Sequence, residues 1–78
     1  MGISAFVLID VSGDRTKSAY KTITRMEGVQ KIYAVTGPYD LIVQIEAESI
    51  EHLNELVLSR IRSVDGVIKT STAIVLKS

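Results

Sequence analysis

The segment Met26-Glu27-Gly28-Val29-Gln30-Lys31 indicates how the chain folds, because its pattern returns 38 residues later as Val64-Asp65-Gly66-Val67-Ile68-Lys69. In each copy an acidic residue and a glycine separate a segment of helical periodicity from a run of strand-forming residues. Glycine supplies the left-handed residue with which helices commonly end, so each copy predicts the end of a helix and the start of a strand. The same offset aligns the apolar positions of an N-terminal strand with those of a middle strand: Ile3, Ala5, Val7 and Ile9 with Leu41, Val43, Ile45 and Ala47.

The chain therefore divides into two βαβ halves, with strands predicted over residues 3–11, 29–36, 41–47 and 67–76. Ser12 or Asp14 is placed to cap the first helix, and Ser49 to cap the second. The apolar stripes are Thr16, Ala19, Ile23 and Met26 on the first helix, and Ile50, Leu53, Leu56, Val57 and Ile61 on the second. We predict an α+β fold, the ferredoxin-like βαββαβ sandwich, with two helices on one face of a four-stranded antiparallel sheet.

Length and composition exclude several classes of protein. The 78 residues predict one small domain over residues 1–78, whose core is marginal unless a partner adds to it. Nine basic residues balance nine acidic ones, so no strong field attracts nucleic acid or an anionic membrane. The absence of cysteine removes disulfides and thiolate metal sites. With no apolar run near the ~20 residues of a membrane span and no signal-peptide pattern, we expect a cytoplasmic protein.

The two faces of the predicted sheet differ in an informative way. The odd positions of the first and third strands are apolar and face the helices, so the other face should be polar if it met water. Instead Phe6, Leu8 and Ile42 lie there, beside polar positions such as Gln44. We expect a second copy of the chain to cover this face, with Phe6, Leu8, Ile42 and Gln44 at the dimer interface. Scattered exposed apolar residues are the alternative.

Two polar clusters interrupt the strands. The turn Thr36-Gly37-Pro38-Tyr39-Asp40 is either a plain reversal or a loop that lines a small-molecule pocket. The last strand carries the hydroxyl run Thr70-Ser71-Thr72, with donors on both of its faces. Hydroxyls, backbone amides near glycine and an acid are the groups that a zwitterion requires. Spacing alone leaves open whether the clusters meet within one subunit or across an interface.

Candidates for catalysis and for metal binding are scarce. His52 is the single histidine, it is predicted on the solvent side of the second helix, and no cysteine or second histidine can share a metal with it. The glutamate pairs fit a solvated face better than acid–base chemistry. The five glycines stand singly at turns, without the spacing that cradles phosphate. We expect no catalytic residues, no metal and no cofactor.

Four motifs together resemble the Lrp/AsnC family, the feast/famine regulators. They are Gly37-Pro38-Tyr39-Asp40 followed by Leu-Ile-Val, then Leu53-Asn54-Glu55-Leu56, then Ile61-Arg62-Ser63-Val64-Asp65-Gly66-Val67, and Thr70-Ser71-Thr72-Ala73-Ile74-Val75-Leu76. The resemblance covers essentially the whole chain and is to the C-terminal effector domain, the RAM domain. It implies a ferredoxin-like domain that dimerises through its sheets as a dimeric α+β barrel, and that often assembles into higher oligomers.

The resemblance also implies where an amino acid or related effector binds. Carried over position by position, the site residues are Thr36, Gly37, Pro38, Tyr39 and Asp40 from the turn, with Thr70 and Thr72 from the last strand. The amides of the turn would hold the effector carboxylate, and Asp40 or neighbouring carbonyls its ammonium group. A structural role for the turn at the subunit interface is the alternative.

One departure from the family bears on function. The usual member begins with a helix-turn-helix domain, whereas the first strand here begins at Ile3. We therefore expect a protein similar to the stand-alone RAM proteins, without direct DNA binding, that associates with copies of itself. Its further partners are an amino acid, full-length Lrp/AsnC regulators, or both. The predicted function is a non-catalytic effector-binding and oligomerisation module linked to transcriptional regulation of amino-acid metabolism. The alternatives are a small dimeric α+β barrel enzyme and a purely structural oligomerisation domain.

Overall fold

The computed structural model describes residues 2–77 and places their elements in the predicted order. The strands are β1 (Ile3–Val11), β2 (Val29–Ala34), β3 (Leu41–Ala47) and β4 (Val67–Ile74). Helix α1 (Thr16–Thr24) follows β1 after a 3₁₀ turn, Gly13–Arg15, and helix α2 (Ile50–Asn54) continues into a π-helical segment, Glu55–Ile61. Strands β2 and β4 each end two residues earlier than the sequence predicts, at Ala34 and Ile74.

The four strands form one sheet in the order β2-β3-β1-β4, and every neighbouring pair is antiparallel. This arrangement confirms the predicted ferredoxin-like fold. The β1–β3 register runs without a shift from Ile3 opposite Ala47 to Ile9 opposite Leu41. Because residues opposite each other share a face of the sheet, the odd positions of both strands point to the same side.

The core lies between that face and the two helices. Ala5, Val7, Ile9 and their β3 partners Val43 and Ile45 are fully buried. Helix α1 contributes Ala19 and Ile23, and the second helical region contributes Leu53, Leu56, Val57 and Ile61. Burying a Leu, Ile or Val side chain contributes about 1.5–3 kcal/mol, so this layer is the main source of stability.

The second helix departs from a plain α-helix. The amide of Arg62 donates to the carbonyl oxygen of Val57 at 3.0 Å, five residues back, which is the bond of a π-helical turn. The wider turn directs Leu56, Val57 and Ile61 inward together. Ile50, predicted on the apolar stripe, instead keeps 46% of its surface exposed.

The capping predictions had different outcomes. The Ser49 hydroxyl accepts from the amide of His52 at 3.0 Å, which confirms the cap of α2. Neither Ser12 nor Asp14 caps α1 with its side chain, so that prediction is wrong. The 3₁₀ turn explains the difference, because the amide of Arg15 already donates to the carbonyl oxygen of Ser12 at 2.8 Å.

The two glycines of the repeated pattern have the same conformation. Gly28 has φ of 92° and Gly66 has φ of 95°, a region that L residues rarely adopt. Each ends a helical region and leads into a strand. The internal repeat is therefore a structural pseudo-symmetry.

Candidate functional site

The predicted effector turn is fixed to the end of β1. Asp40 Oδ2 accepts from the backbone amide of Val11 at 2.8 Å, in a partly buried position. The amide of Asp40 donates to the carbonyl oxygen of Ile9 at 3.0 Å. The β1–β3 ladder ends at Ile9 and Leu41, so β3 provides no backbone acceptor for the amide of Val11, the next odd position of β1. The Asp40 carboxylate accepts that hydrogen bond instead. One oxygen of this carboxylate therefore has a structural partner.

The remainder of the turn faces outward. Thr36, Gly37 and Pro38 are exposed, and Tyr39 is partly buried. Gly37 has φ of 148°, which glycine adopts more readily than other residues, and the Gly37–Pro38 peptide bond is cis. The amide of Val35 donates to the carbonyl oxygen of Asp40 at 2.9 Å, closing the loop. The turn is thus a closed loop whose tip is open to solvent.

The hydroxyl run lies on the edge strand β4, next to β1. Thr70 is opposite Ile9 and Thr72 is opposite Val7, both on the helix-covered side, whereas Ser71 is opposite Leu8 on the other side. The run therefore presents hydroxyls on both faces, as predicted.

The two predicted clusters are at the same end of the sheet but are not adjacent in one chain. Strand β1 lies between β3 and β4, so two strand spacings, about 10 Å, separate the start of β3 from Thr70. Four surface grooves of residues 2–77, of about 270 to 540 Å³, have no residue of the turn and neither Thr70 nor Thr72 in their walls. Small-molecule sites are concave, so a ligand at this turn needs a further wall.

The face of the sheet opposite the helices carries an apolar patch. Two cross-strand pairs, Phe6 with Gln44 and Leu8 with Ile42, lie side by side at its centre. Tyr33 of β2 is opposite Ile42 and is 49% exposed, and Phe6 is 38% exposed. We call Phe6, Leu8, Tyr33 and Ile42 the open-face patch. Tyr33 was not identified from the sequence, although the alternation of β2 around the buried Ile32 would have placed it on this face.

The structure gives His52 a local role at the start of α2. Its Nδ1 accepts from the amide of Glu48 at 3.3 Å, which assigns the ring proton to Nε2 in the neutral form. Within the described part of the chain, no group of three or more His, Cys, Asp or Glu side chains is arranged to hold a metal ion. Among the helices described between residues 2 and 77, none combines the length and the apolar character that a membrane span requires.

Comparisons with known proteins agree with the fold. Residues 4–78 match the family described as the Lrp/AsnC ligand binding domain. The crystal structure of TTHA0845 from Thermus thermophilus is 36% identical, with a TM-score of 0.93, and the match covers 97% of this chain and 95% of that one.

Two longer relatives are regulators. The HTH-type transcriptional regulator FL11 of Pyrococcus abyssi is 36% identical over 74 residues, which are 95% of this chain and 48% of that protein. The feast or famine regulatory protein Rv3291c from M. tuberculosis, in complex with L-methionine, is 28% identical with a TM-score of 0.75, and the match covers 97% of this chain and 51% of that one. This chain thus spans about half the length of the curated regulators it matches. The match over residues 4–78 establishes that the chain belongs to the Lrp/AsnC ligand-binding domain family.

Proposed function

We propose that this chain is a non-catalytic module that binds an amino-acid effector and associates with copies of itself in the transcriptional control of amino-acid metabolism. The observation that carries the proposal is its family membership over residues 4–78. The L-methionine complex of a relative that is 28% identical supports an amino acid as the ligand. In this proposal residues 1–78 act as one domain, in the cytoplasm, and their nine basic and nine acidic residues produce no strong field that attracts DNA.

The effector site is proposed at the turn Thr36–Asp40. The outward-facing tip, with Thr36, Gly37, Pro38 and Tyr39, offers a hydroxyl and backbone amides to the effector carboxylate. Asp40 holds the loop through Val11 and presents its second carboxylate oxygen to the effector ammonium group. Its structural role at the turn and its ligand role are therefore compatible.

The hydroxyls of Thr70 and Thr72 are proposed to reach the effector from another protomer. Within one chain β1 separates them from the turn, and the side chains opposite them on β1, Ile9 and Val7, face the helices. A site formed by the turn of one protomer and β4 of another supplies the further wall that the turn lacks.

Self-association is proposed through the open-face patch. Phe6, Leu8 and Ile42, with Gln44 beside them, form a contiguous surface that water covers in a single chain. Burying it against a second copy removes apolar area from water and adds to the core of a small domain. Pairs of such dimers then assemble into higher oligomers.

The same face binds a full-length Lrp/AsnC regulator in this proposal. Native mass spectrometry of a mixture with such a regulator tests this last partner, because hetero-oligomers are expected and their absence would remove it.

Thermal melting in the presence of each amino acid tests the effector proposal. A ligand that binds only the folded state increases the free energy of unfolding, by about 2.7 kcal/mol at a ligand concentration of a hundred times its Kd. The melting temperature therefore rises. We expect at least one amino acid to raise it in a concentration-dependent way. If none does, the effector proposal fails and an oligomerisation role alone is left.

A further inference from the structure

A groove on the outer side of the helical layer has the composition of a second ligand site, separate from the turn. It runs between α1 and the end of the π-helical segment with the residues that follow it, 60–65, and has a volume of about 470 Å³. This is within the ~300–1,000 Å³ typical of small-molecule sites. Its walls include both signs of charge, three hydroxyls and two apolar side chains, all from one chain.

The cationic group free to bind in this groove is Arg60. Among residues 2–77 the ion pair is between Arg15 Nη1 and Asp65 Oδ2, at 2.9 Å, and Arg60 has no carboxylate within bonding distance. A guanidinium offers donors in a planar fork that matches a carboxylate. The guanidinium of Arg60 is therefore free to pair with the carboxylate of a ligand.

The hydroxyls of the groove act as acceptors. The Ser18 hydroxyl donates to the carbonyl oxygen of Arg15 at 3.1 Å, the Thr22 hydroxyl to that of Ser18 at 3.0 Å, and the Ser63 hydroxyl to that of Ser59 at 2.7 Å. Each hydroxyl proton is thus directed to the helix backbone, which leaves the oxygen lone pairs for a ligand donor. The ammonium group of a ligand has three N–H donors, which hydroxyl oxygens of this kind can accept.

Asp65 adds a negative charge near these oxygens. Its side chain is 80% exposed and its partner Arg15 is 52% exposed, so the ion pair between them is weak and solvated. The Asp65 carboxylate can therefore accept from a ligand ammonium without losing a strong internal bond.

Met26 and Val64 supply the apolar part of the groove. Both are partly buried and pack against the core, so the surface they present is held in place. A carboxylate partner, ammonium acceptors and an apolar surface together are complementary to an amino acid with an aliphatic side chain. We propose that this groove binds a zwitterionic aliphatic amino acid within a single protomer, independently of the turn site.

The test is a titration of ¹⁵N-labelled protein with L-leucine, read by NMR at two groups of amides. The groove reporters are Ser18, Thr22, Ser63 and Val64, and the turn reporters are Gly37 and Asp40. Saturable shifts at the groove reporters are expected. Shifts confined to the turn reporters would overturn the groove site and leave the proposed effector site standing. Saturable shifts confined to the groove reporters would support the groove site and leave open a turn site for another amino acid.

Matched variants test which groups bind. Arg60→Gln should weaken binding at the groove reporters about tenfold, the loss expected for one charge-assisted hydrogen bond. Arg62→Gln, which removes a nearby arginine outside the groove, should leave binding unchanged. Equal affinity of the two variants would overturn the assignment of Arg60.

Ligand fragments test the zwitterion. The keto acid of leucine lacks the ammonium group, isopentylamine lacks the carboxylate, and glycine lacks the side chain. Each should bind the groove at least about tenfold more weakly than L-leucine, since each loses one set of partners. A keto acid that binds as tightly as leucine would overturn the class of ligand proposed.

Discussion

Replacement of Gly66 by alanine tests the close approach on which the second half of the fold depends. A Cβ added at Gly66 would lie 2.8 Å from Cγ of Arg15 and closer still to its Cβ. The Arg15 Cβ is attached to the backbone at the start of α1 and cannot rotate away, so the two segments must move apart. Overpacking of this kind costs about 1–3 kcal/mol.

The backbone conformation adds a second cost. Gly66 has φ of 95°, where an L residue loses about 1–2 kcal/mol relative to glycine. The sum predicts that Gly66→Ala lowers the free energy of unfolding by about 2–5 kcal/mol. At about 4–8 °C per kcal/mol, the melting temperature should fall by at least about 8 °C.

The other glycines give graded controls. Gly28→Ala meets Leu56 Cδ1 at 3.0 Å and the backbone carbonyl oxygen of Glu46 at 3.1 Å. The leucine methyl can rotate away, and the contact with the oxygen is relieved by a shift of a few tenths of an ångström. Its cost should be smaller, about 1–3 kcal/mol, mostly from its φ of 92°. Gly13 has open space around its position and no positive φ, so Gly13→Ala should be neutral or stabilising by up to about 1 kcal/mol.

Urea unfolding at one fixed protein concentration measures these differences, because self-association would otherwise shift the apparent stability. The expected order of stability is Gly13→Ala, then Gly28→Ala, then Gly66→Ala. A Gly66→Ala variant as stable as Gly13→Ala would refute the packing of Gly66 against Arg15.

Three further substitutions test the turn, the helix cap and the interface. Asp40→Ala removes the acceptor for the Val11 amide and should cost about 1.5–3 kcal/mol, with Asp40→Asn costing less because an acceptor remains; urea unfolding compares them. Equal stability of Asp40→Ala and the parent would show that the bond does not hold the turn. Ser49→Ala removes the acceptor for the His52 amide and should lower stability by about 1 kcal/mol, and no change in the melting temperature would contradict that cap. Leu8→Glu places a charge in the open-face patch and should yield a monomer in sedimentation velocity at a concentration where the parent is a dimer. Its far-UV circular dichroism spectrum should be unchanged. A dimer of the variant would exclude the patch as the interface.

The fold was predictable because each of its signals is local or periodic. The alternation of β1 and β3 indicated the buried face, and the repeat of Gly28 and Gly66 indicated the two halves. The ends of β2 and β4 were not predictable, since Val35, Thr36 and Val75 are good strand residues whose pairing depends on where a neighbouring strand ends.

The finer geometry of the site depends on contacts between distant residues. Asp40 and Val11 are 29 positions apart, so no local pattern shows that the carboxylate takes the place of a strand partner. The π-helical turn was equally hidden, because the spacing of Leu53, Val57 and Ile61 also fits an α-helix. The groove beside Arg60 requires two helical segments to be placed side by side, and neither segment alone marks it.

The most direct test of the proposed function measures effector binding at the turn in both association states. The amino acid that raises the melting temperature most is titrated into the parent and into the Leu8→Glu variant, with the amides of Gly37, Tyr39 and Asp40 as reporters. If two chains form the site, the parent should show saturable shifts at these amides, and the monomeric variant should bind at least about tenfold more weakly there. Unmoved turn amides in the parent, or equal affinity in the monomer, would contradict an effector site built between protomers.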